Sequence, residues 1–370
     1  MAYYLPEPPY QHGERLKIGV LLINLGTPNA PTTSALRHYL AEFLHDRRVI
    51  ELPRWLWCLI LHGIILRLRP RQSAKKYATI WNLQGSPLLT NTVNQTKALR
   101  TVLHSRLPEP VMVEMGMRYG TPSIKDGLAL LRAAHCDRIL LLPLYPQYAA
   151  SSTGSAMDAV WRLLLRTRNV PAIRTIRHYH DAPAYIATLA QSVRDYWQAH
   201  GRGEILVMSF HGLPKVYLQR GDPYHCECHK TARLLAQDLN LKAEEYQVVF
   251  QSRFGYQEWL TPYFSDIIKS LGVKHTKRID VMCPGFSSDC LETLEEIAIE
   301  GKALFKQAGG GDYHYIPALN DREDWIATLA KLVEDNLAGW LDPAWNAAVS
   351  ETMLREQRQR AEKIKISTDG

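Results

Sequence analysis

Six short apolar runs, at 17–24, 111–117, 138–144, 204–210, 246–252 and 278–283, are separated by stretches with helical spacing of apolar residues. Nearly continuous apolar strands alternating with helices indicate parallel sheets, because crossover helices bury both faces of each strand. The order of signals then repeats. A run ending in Gly-x-Pro (Ile23-Asn-Leu-Gly-Thr-Pro28; Ser209-Phe-His-Gly-Leu-Pro214) precedes one ending in Arg-aromatic-Gly (Arg118-Tyr-Gly120; Arg253-Phe-Gly255). An Arg-Ile pair leading to proline follows (Arg138 to Pro143; Arg278 to Pro284). Three matches in one order indicate a duplicated α/β unit. A chain of 370 residues suits two such units. Their expected bounds are 15–175 and 176–335, with 336–370 a helix that frays into a tail.

The halves differ by an insertion. Pro28 and Arg118 are 90 residues apart, whereas Pro214 and Arg253 are 39 apart. The extra residues, near 43–90, follow a strand's carboxyl end, where open α/β sheets bind ligands. They are expected to cover or line a cleft. The net charge of +7 is concentrated there too, with eight Lys/Arg against one acid between Arg47 and Lys76. This base brackets the apolar segment 52–66, which includes Trp55 and Trp57. The segment is too short to span a bilayer, which needs about 20 apolar residues, and its composition suits a lip in peripheral contact with a membrane surface. A core helix with basic ends is the plainer reading. Base lining a groove with interleaved aromatics would be expected of a nucleic-acid enzyme and is not the pattern here. Residues 1–15 do not read as a secretion signal, so a cytoplasmic protein is expected. Neither a Walker motif nor a dinucleotide glycine fingerprint occurs, so no nucleotide cofactor is expected.

Aligning the copies puts the chemistry in the second half. His211 falls opposite Leu25, Asp289 opposite Tyr148 and Glu292 opposite Ser151. One wall, residues 145–154, is uncharged and hydroxyl-rich; the other supplies an imidazole and carboxylates. That asymmetry suits a flat apolar ligand attacked from one face. His211 stands at a strand-to-loop corner, where an imidazole accepts a proton near pH 7 or ligates a divalent metal; the alternative is a structural histidine. Ser288 is expected to cap a helix starting near Asp289, with Glu292, Glu296 and Glu300 as an acidic stripe and Phe286, Leu291, Leu294 and Ile297 on an apolar side. Such a carboxylate row from solvent to the site could pass metal inward or protons outward.

These motifs, with Leu144-Tyr-Pro-Gln-Tyr148, Gln251-Ser-Arg-Phe-Gly255 and Cys283-Pro-Gly-Phe-Ser-Ser-Asp-Cys-Leu-Glu-Thr-Leu-Glu-Glu296, resemble the ferrochelatases of proteobacteria from about residue 17 to 335. The resemblance implies two flavodoxin-like domains flanking a porphyrin cleft. It implies an iron-inserting lyase that converts protoporphyrin IX and Fe2+, both substrates, to protohaem. It also implies that His211, Glu292 and Asp289 are catalytic, that His211 and Glu292 face the metal, and that Arg118, Tyr119, Phe286 and Trp259 line the macrocycle. Cys290 stands where some animal members carry a histidine, whose role does not transfer. A chelatase for another tetrapyrrole or metal, such as coproporphyrin III or Co2+, is the alternative; a non-catalytic porphyrin carrier is a third reading. Some members hold a [2Fe–2S] cluster, and Cys226, Cys228, Cys283 and Cys290 supply the four thiols such a cluster needs. An adventitious metal site and plain thiols are the competing readings. The sequence leaves the oligomeric state open.

Overall fold

The computed structural model describes residues 3–10, 12–255 and 257–368, with side chains of the last helix up to residue 364. Eight strands form two parallel sheets. In the first, β1 (Lys17–Gly26), β2 (Val111–Tyr119), β3 (Cys136–Pro143) and β4 (Ala172–Thr175) run in the order β2-β1-β3-β4. In the second, β5 (Ile205–His211), β6 (Tyr246–Gln251), β7 (Arg278–Met282) and β8 (Asp312–Tyr315) run in the order β6-β5-β7-β8. The order is the same in both copies and is that of flavodoxin-like sheets. The expected fold class of two similar α/β domains is observed. The sequence reading missed β4 and β8. They are four residues each, lie at sheet edges and are only partly apolar, so neither carries the run of buried residues that marks a central strand.

Side chains alternate along a strand, so each sheet has two apolar faces. Val20, Leu22, Met115 and Leu142 of the first sheet share one core with Leu206, Met208, Phe210 and Met282 of the second. The opposite faces are covered separately, one around Leu21, Ile139 and Leu141, the other around Val207, Val249 and Val281. The shared core is closed by two crossed helices. Helix Pro183–His200, which follows the first sheet, packs on helix Tyr224–Asp238 of the second half. Helix Glu323–Asn336, which follows the second sheet, packs on β3 and on helix Pro87–Arg106 of the first half. The sequence division at 175/176 falls at the end of β4 and puts residues 176–200 in the second half; counted instead with the sheet they follow, they give the first half its terminal helix, and each half completes its core with the other's. Residues 186–190 and 326–330 both read Ile-Ala-Thr-Leu-Ala. The two threonines meet at the crossing, Thr188 Oγ1 lying 2.8 Å from Thr328 Oγ1. The same residue of each copy facing itself marks an approximate two-fold axis. The last helix spans Ala347–Thr368, and residues 369 and 370 of the expected tail lie outside the described residues.

Trp325 sits in that shared core, wholly buried against Tyr179 and Tyr185. Trp325→Ala is expected to lower the unfolding free energy by about 3–5 kcal/mol while unfolding remains a single transition, because both sheets lose the same support. Urea denaturation followed by circular dichroism checks both.

Candidate active site

In both sheets the strand order reverses between the first and third strands of the copy. Crossovers leave that point in opposite directions and open a crevice beyond the carboxyl ends of the two strands. In the second sheet these ends are those of β5 and β7. His211 is the last residue of β5, and the loop from Cys283 to Asp289 follows β7. His211 Nδ1 lies 2.7 Å from the carbonyl oxygen of Gly212, so Nδ1 carries the proton and Nε2 presents a lone pair. Gly212 tolerates no side chain: a Cβ there would stand 2.5 Å from the Gln251 carbonyl oxygen and 3.2 Å from the Trp259 ring.

Glu292 is held to the same place by Gln251, the register partner of His211 on β6. Gln251 is buried; its Nε2 donates to the Glu292 carbonyl oxygen at 2.9 Å, and its Oε1 accepts from Ser209 Oγ at 2.7 Å. The expected cap and start of the following helix are corrected. Ser288 Oγ accepts from Gln95 Nε2 at 3.0 Å instead of capping. Residue 291 opens the helix, which is π-helical over Glu292–Gly301. The first half carries a shorter π-helix at the same point, Ala150–Gly154. π-Helical turns are rare and concentrate at functional sites.

The acids of this helix have separate surroundings. Glu292 lies within the electrostatic reach of Tyr39, from the helix Thr33–Leu44 that leads into the insertion, and of Tyr77, from the insertion itself. Burial pushes both phenols well above their ordinary range and the Glu292 charge adds to this. Burial likewise raises the Cys290 thiol, and the Glu292 charge beside it adds to this. Glu296 accepts from Ser252 N at 2.7 Å and from Ser252 Oγ at 2.5 Å. Burial nevertheless raises its carboxyl, the Ser252 bonds and His211 pull it down, and Glu292 pushes it up. Glu296 thus senses both His211 and Glu292. Lys76 of the insertion bridges Glu295 at 3.0 Å and Glu300 at 2.8 Å.

Other expected site residues are placed as supports. Asp289 is buried with both oxygens engaged. Oδ1 accepts from Thr293 Oγ1 at 2.9 Å and Tyr315 OH at 2.6 Å, and Oδ2 from Asn320 Nδ2 at 2.8 Å. It therefore anchors the turn that leads to Glu292. Tyr119 is fully buried, its OH 2.9 Å from Asp46 Oδ2. Arg118 pairs with Asp46 and donates Nε–H to Ser155 Oγ at 2.6 Å. Burial opposes ionisation of Asp46, but Ser155, the Arg48 backbone and Arg118 together hold its carboxyl below the usual range. This network braces the first wall from behind. Trp259 is buried on Gly212 and Phe254, its indole N–H without a partner. Phe286 packs against the core on the far face of the second sheet.

The four thiols proposed for a cluster do not fit one. Cys228 lies in the core between the sheets and Cys283 in the core on the opposite face of the second sheet, while Cys226 is exposed. A sheet separates donors that a cluster requires within bonding distance. Sequence reading missed Gln251, Tyr39 and Tyr77: a buried amide and two core-like tyrosines carry no charge or spacing signal. The expected titration follows from Glu296. Its carbon-13 NMR midpoint should lie above the 4.5 of a free glutamate, and Ser252→Ala should move it higher still by removing the hydroxyl donor to the charged form while the backbone N–H stays.

Comparison with known proteins meets this geometry from another direction. A family model described as Ferrochelatase matches residues 17–337. The chain is 58% identical over 341 residues to the ferrochelatase of Methylobacillus flagellatus, across 92% of this chain and 99% of that one. It is 54% identical over 361 residues to the ferrochelatase of Nitrosomonas europaea, across 98% of each. Among solved structures, the sirohydrochlorin chelatase SirB from Bacillus subtilis subspecies spizizenii superposes on 87% of this chain and 95% of its own, with a TM-score of 0.47 and 10% identity, too loosely to carry weight. Matched over nearly its whole length at such identity, the chain belongs to the ferrochelatase family.

Proposed function

We propose that this protein inserts Fe2+ into protoporphyrin IX, yielding protohaem and two protons, with His211 and Glu292 at the reacting face. The single observation that carries the reading is the His211 imidazole, held by Nδ1 so that Nε2 is free, at the end of the same strand pair that holds Glu292. A free porphyrin is nearly planar and carries two inner N–H protons. Insertion therefore requires puckering of the ring, removal of both protons and loss of water from the ion. A cleft that favours the puckered ring lowers the barrier by binding that state better than the flat one. His211 Nε2 accepts a pyrrole proton. Glu292 holds or delivers the ion and Glu296 receives protons in turn, its raised carboxyl being nearer the working range of a relay. Imidazole and carboxylate suit ferrous iron, and two protein ligands hold it loosely enough for transfer. Asp289, Arg118 and Tyr119 act in this reading as positioning residues, and Phe286 and Trp259 as parts of the wall behind the ligand. No iron–sulfur cluster is part of the reading.

Measured as Fe2+-dependent loss of protoporphyrin fluorescence, His211→Ala is expected to lower turnover by about 10²–10⁴-fold, with porphyrin still bound. Full turnover in that variant removes the mechanism. Coproporphyrin III and Co2+, run in the same assay, test the alternative substrate class, which the names of the relatives disfavour. Porphyrin binding without turnover in the unaltered protein would instead make it a carrier.

The same chain is proposed to touch a membrane through its insertion. No helix among the described residues is long and apolar enough to cross one. Helices Arg54–Ile60 and Leu66–Ile80, joined by a π-helical turn, bury Trp57, Leu61, Leu66 and Tyr77 on one side. They expose Leu52, Trp55, Leu56, Leu59, Ile64 and Leu68 on the other. Trp55 is 71% and Leu68 68% exposed, beside the exposed bases Arg67, Arg71 and Lys75. An apolar stripe edged by base lies stably at an anionic lipid surface. The triple change Trp55→Ser, Leu59→Ser, Leu68→Ser is expected to abolish co-sedimentation with anionic liposomes while leaving the fold intact. Undiminished sedimentation overturns the lip reading.

A further inference from the structure

Away from His211 and Glu292, three metal-ligating side chains converge from both halves. His178 and His180 stand two residues apart in the extended segment after β4. Alternation in extended backbone turns Tyr179, between them, into the shared core and both imidazoles to the other side. Glu227 reaches them from helix Tyr224–Asp238 of the second half. One donor atom from each of the three lies within 4.8 Å of the others.

The geometry is unusual for a simple ion pair. His178 Nδ1 lies 2.7 Å from Glu227 Oε1. His180 Nδ1 lies 3.3 Å from Glu227 Oε2 but without the angle of a hydrogen bond, and it is a buried atom with no hydrogen-bond partner. His180 is only 5% exposed and Glu227 only 6%. Leaving an imidazole nitrogen unpaired at that depth is costly. The neighbouring cations do not fill the gap. Arg177 stacks on Tyr148 and approaches Glu227 only to 3.9 Å, and Lys230 is bound to Asp181 at 2.5 Å.

We propose that His178, His180 and Glu227 form a site for a borderline divalent transition metal, of which Zn2+ is the representative, distinct from the iron-inserting cleft. Two imidazoles and a carboxylate are a known three-ligand set for such an ion, leaving one position for water. Bonds of about 2.0–2.1 Å in a tetrahedron keep donors roughly 3.3 Å apart. The His180 contact of 3.3 Å already has that separation, and the His178 contact of 2.7 Å must open to admit the ion. The His178 side chain is 37% exposed and gives the ion its way in from solvent. The consequence is mechanical. Glu227 Oε2 also accepts from Tyr148 N at 2.7 Å, two residues before the π-helix of the first half. An ion here ties the two halves together at the loop that leads into that π-helix.

The test uses full-length protein stripped of metal and carrying His211→Ala and Glu292→Gln, so that the cleft cannot supply the signal. Titration with Zn2+ by calorimetry is expected to show one equivalent bound and a raised Tm. Addition of His178→Gln and His180→Gln is expected to remove that equivalent, with at least a 100-fold loss of affinity. Zinc affinity unchanged by those two substitutions, or no stoichiometric zinc in the cleft-disabled protein, overturns the site. Should the histidine variants misfold, Co2+ bound to the cleft-disabled protein alone decides. Intense visible bands of a four-coordinate nitrogen- and oxygen-ligated ion support the site, and the faint spectrum of the hydrated ion overturns it.

Discussion

The arrangement depends on one constraint of parallel pairing: at the point where strand order reverses, the chain leaves the sheet in two directions and cannot cover its own edge. The crevice beyond β5 and β7 is therefore lined by strand ends whose polar groups need partners from side chains. Gln251 provides them. Its carboxamide accepts from Ser209 on β5 and donates to the Glu292 backbone beyond β7. One buried amide thus ties together the ends of three strands, and an unsatisfied polar group there would cost about 1–3 kcal/mol. This closure ties the Glu292 backbone to the strand position paired with His211, and no direct attraction between the two side chains is required.

The duplicated first half answers the same constraint differently. Its crevice carries no imidazole; Asp46, from the insertion, takes the hydroxyls of Tyr119 and Ser155 and the guanidinium of Arg118. A buried charge with so many donors is rigid, since removing any one partner strands the others. The two copies have diverged into a stiff wall and a chargeable one, while keeping a π-helical turn at the same position in each. In the proposed reaction that division is useful: a ring pressed against an unyielding surface is deformed toward the face where its protons leave.

The fold was legible because parallel sheets write themselves into sequence as apolar runs, and duplication wrote them twice. His211 and Glu292 were legible as departures from the copy, charged where the first half is neutral. What stayed hidden depended on which way a side chain points. Cys228 and Cys283 look like joint ligands on paper, yet the helix that carries Cys228 packs on one face of the second sheet and Cys283, just beyond β7, points into the core on the other. Asp289 reads as one more acid of a stripe, and only the positions of Thr293, Tyr315 and Asn320 reveal that its lone pairs are taken. The exchange of terminal helices had a signal, the repeated Ile-Ala-Thr-Leu-Ala at 186–190 and 326–330, which the strand-based alignment passed over. His178 and His180 gave none, because Glu227 is 47 residues away in sequence and reaches them only through packing.

The acids along the π-helix form a graded series. At the solvent end, Glu300 and the neighbouring Glu295 share Lys76, a full positive charge supplied by the insertion. Further in, Glu296 has the neutral donors of Ser252 and the pull of His211. At the inner end, Glu292 faces Tyr39 and Tyr77, phenols that burial keeps protonated, and lies within electrostatic reach of the Arg69 guanidinium of the insertion. A carboxylate matched by lysine has little need of another cation, whereas one compensated by dipoles in a less polar setting gains most from a proton or a metal ion. In the proposed reaction, a proton taken from a ring nitrogen by His211 has in Glu296 a neighbouring carboxyl that burial has already raised. The insertion supplies both ends of the row, Lys76 at the outer one and Tyr77 and Arg69 at the inner one.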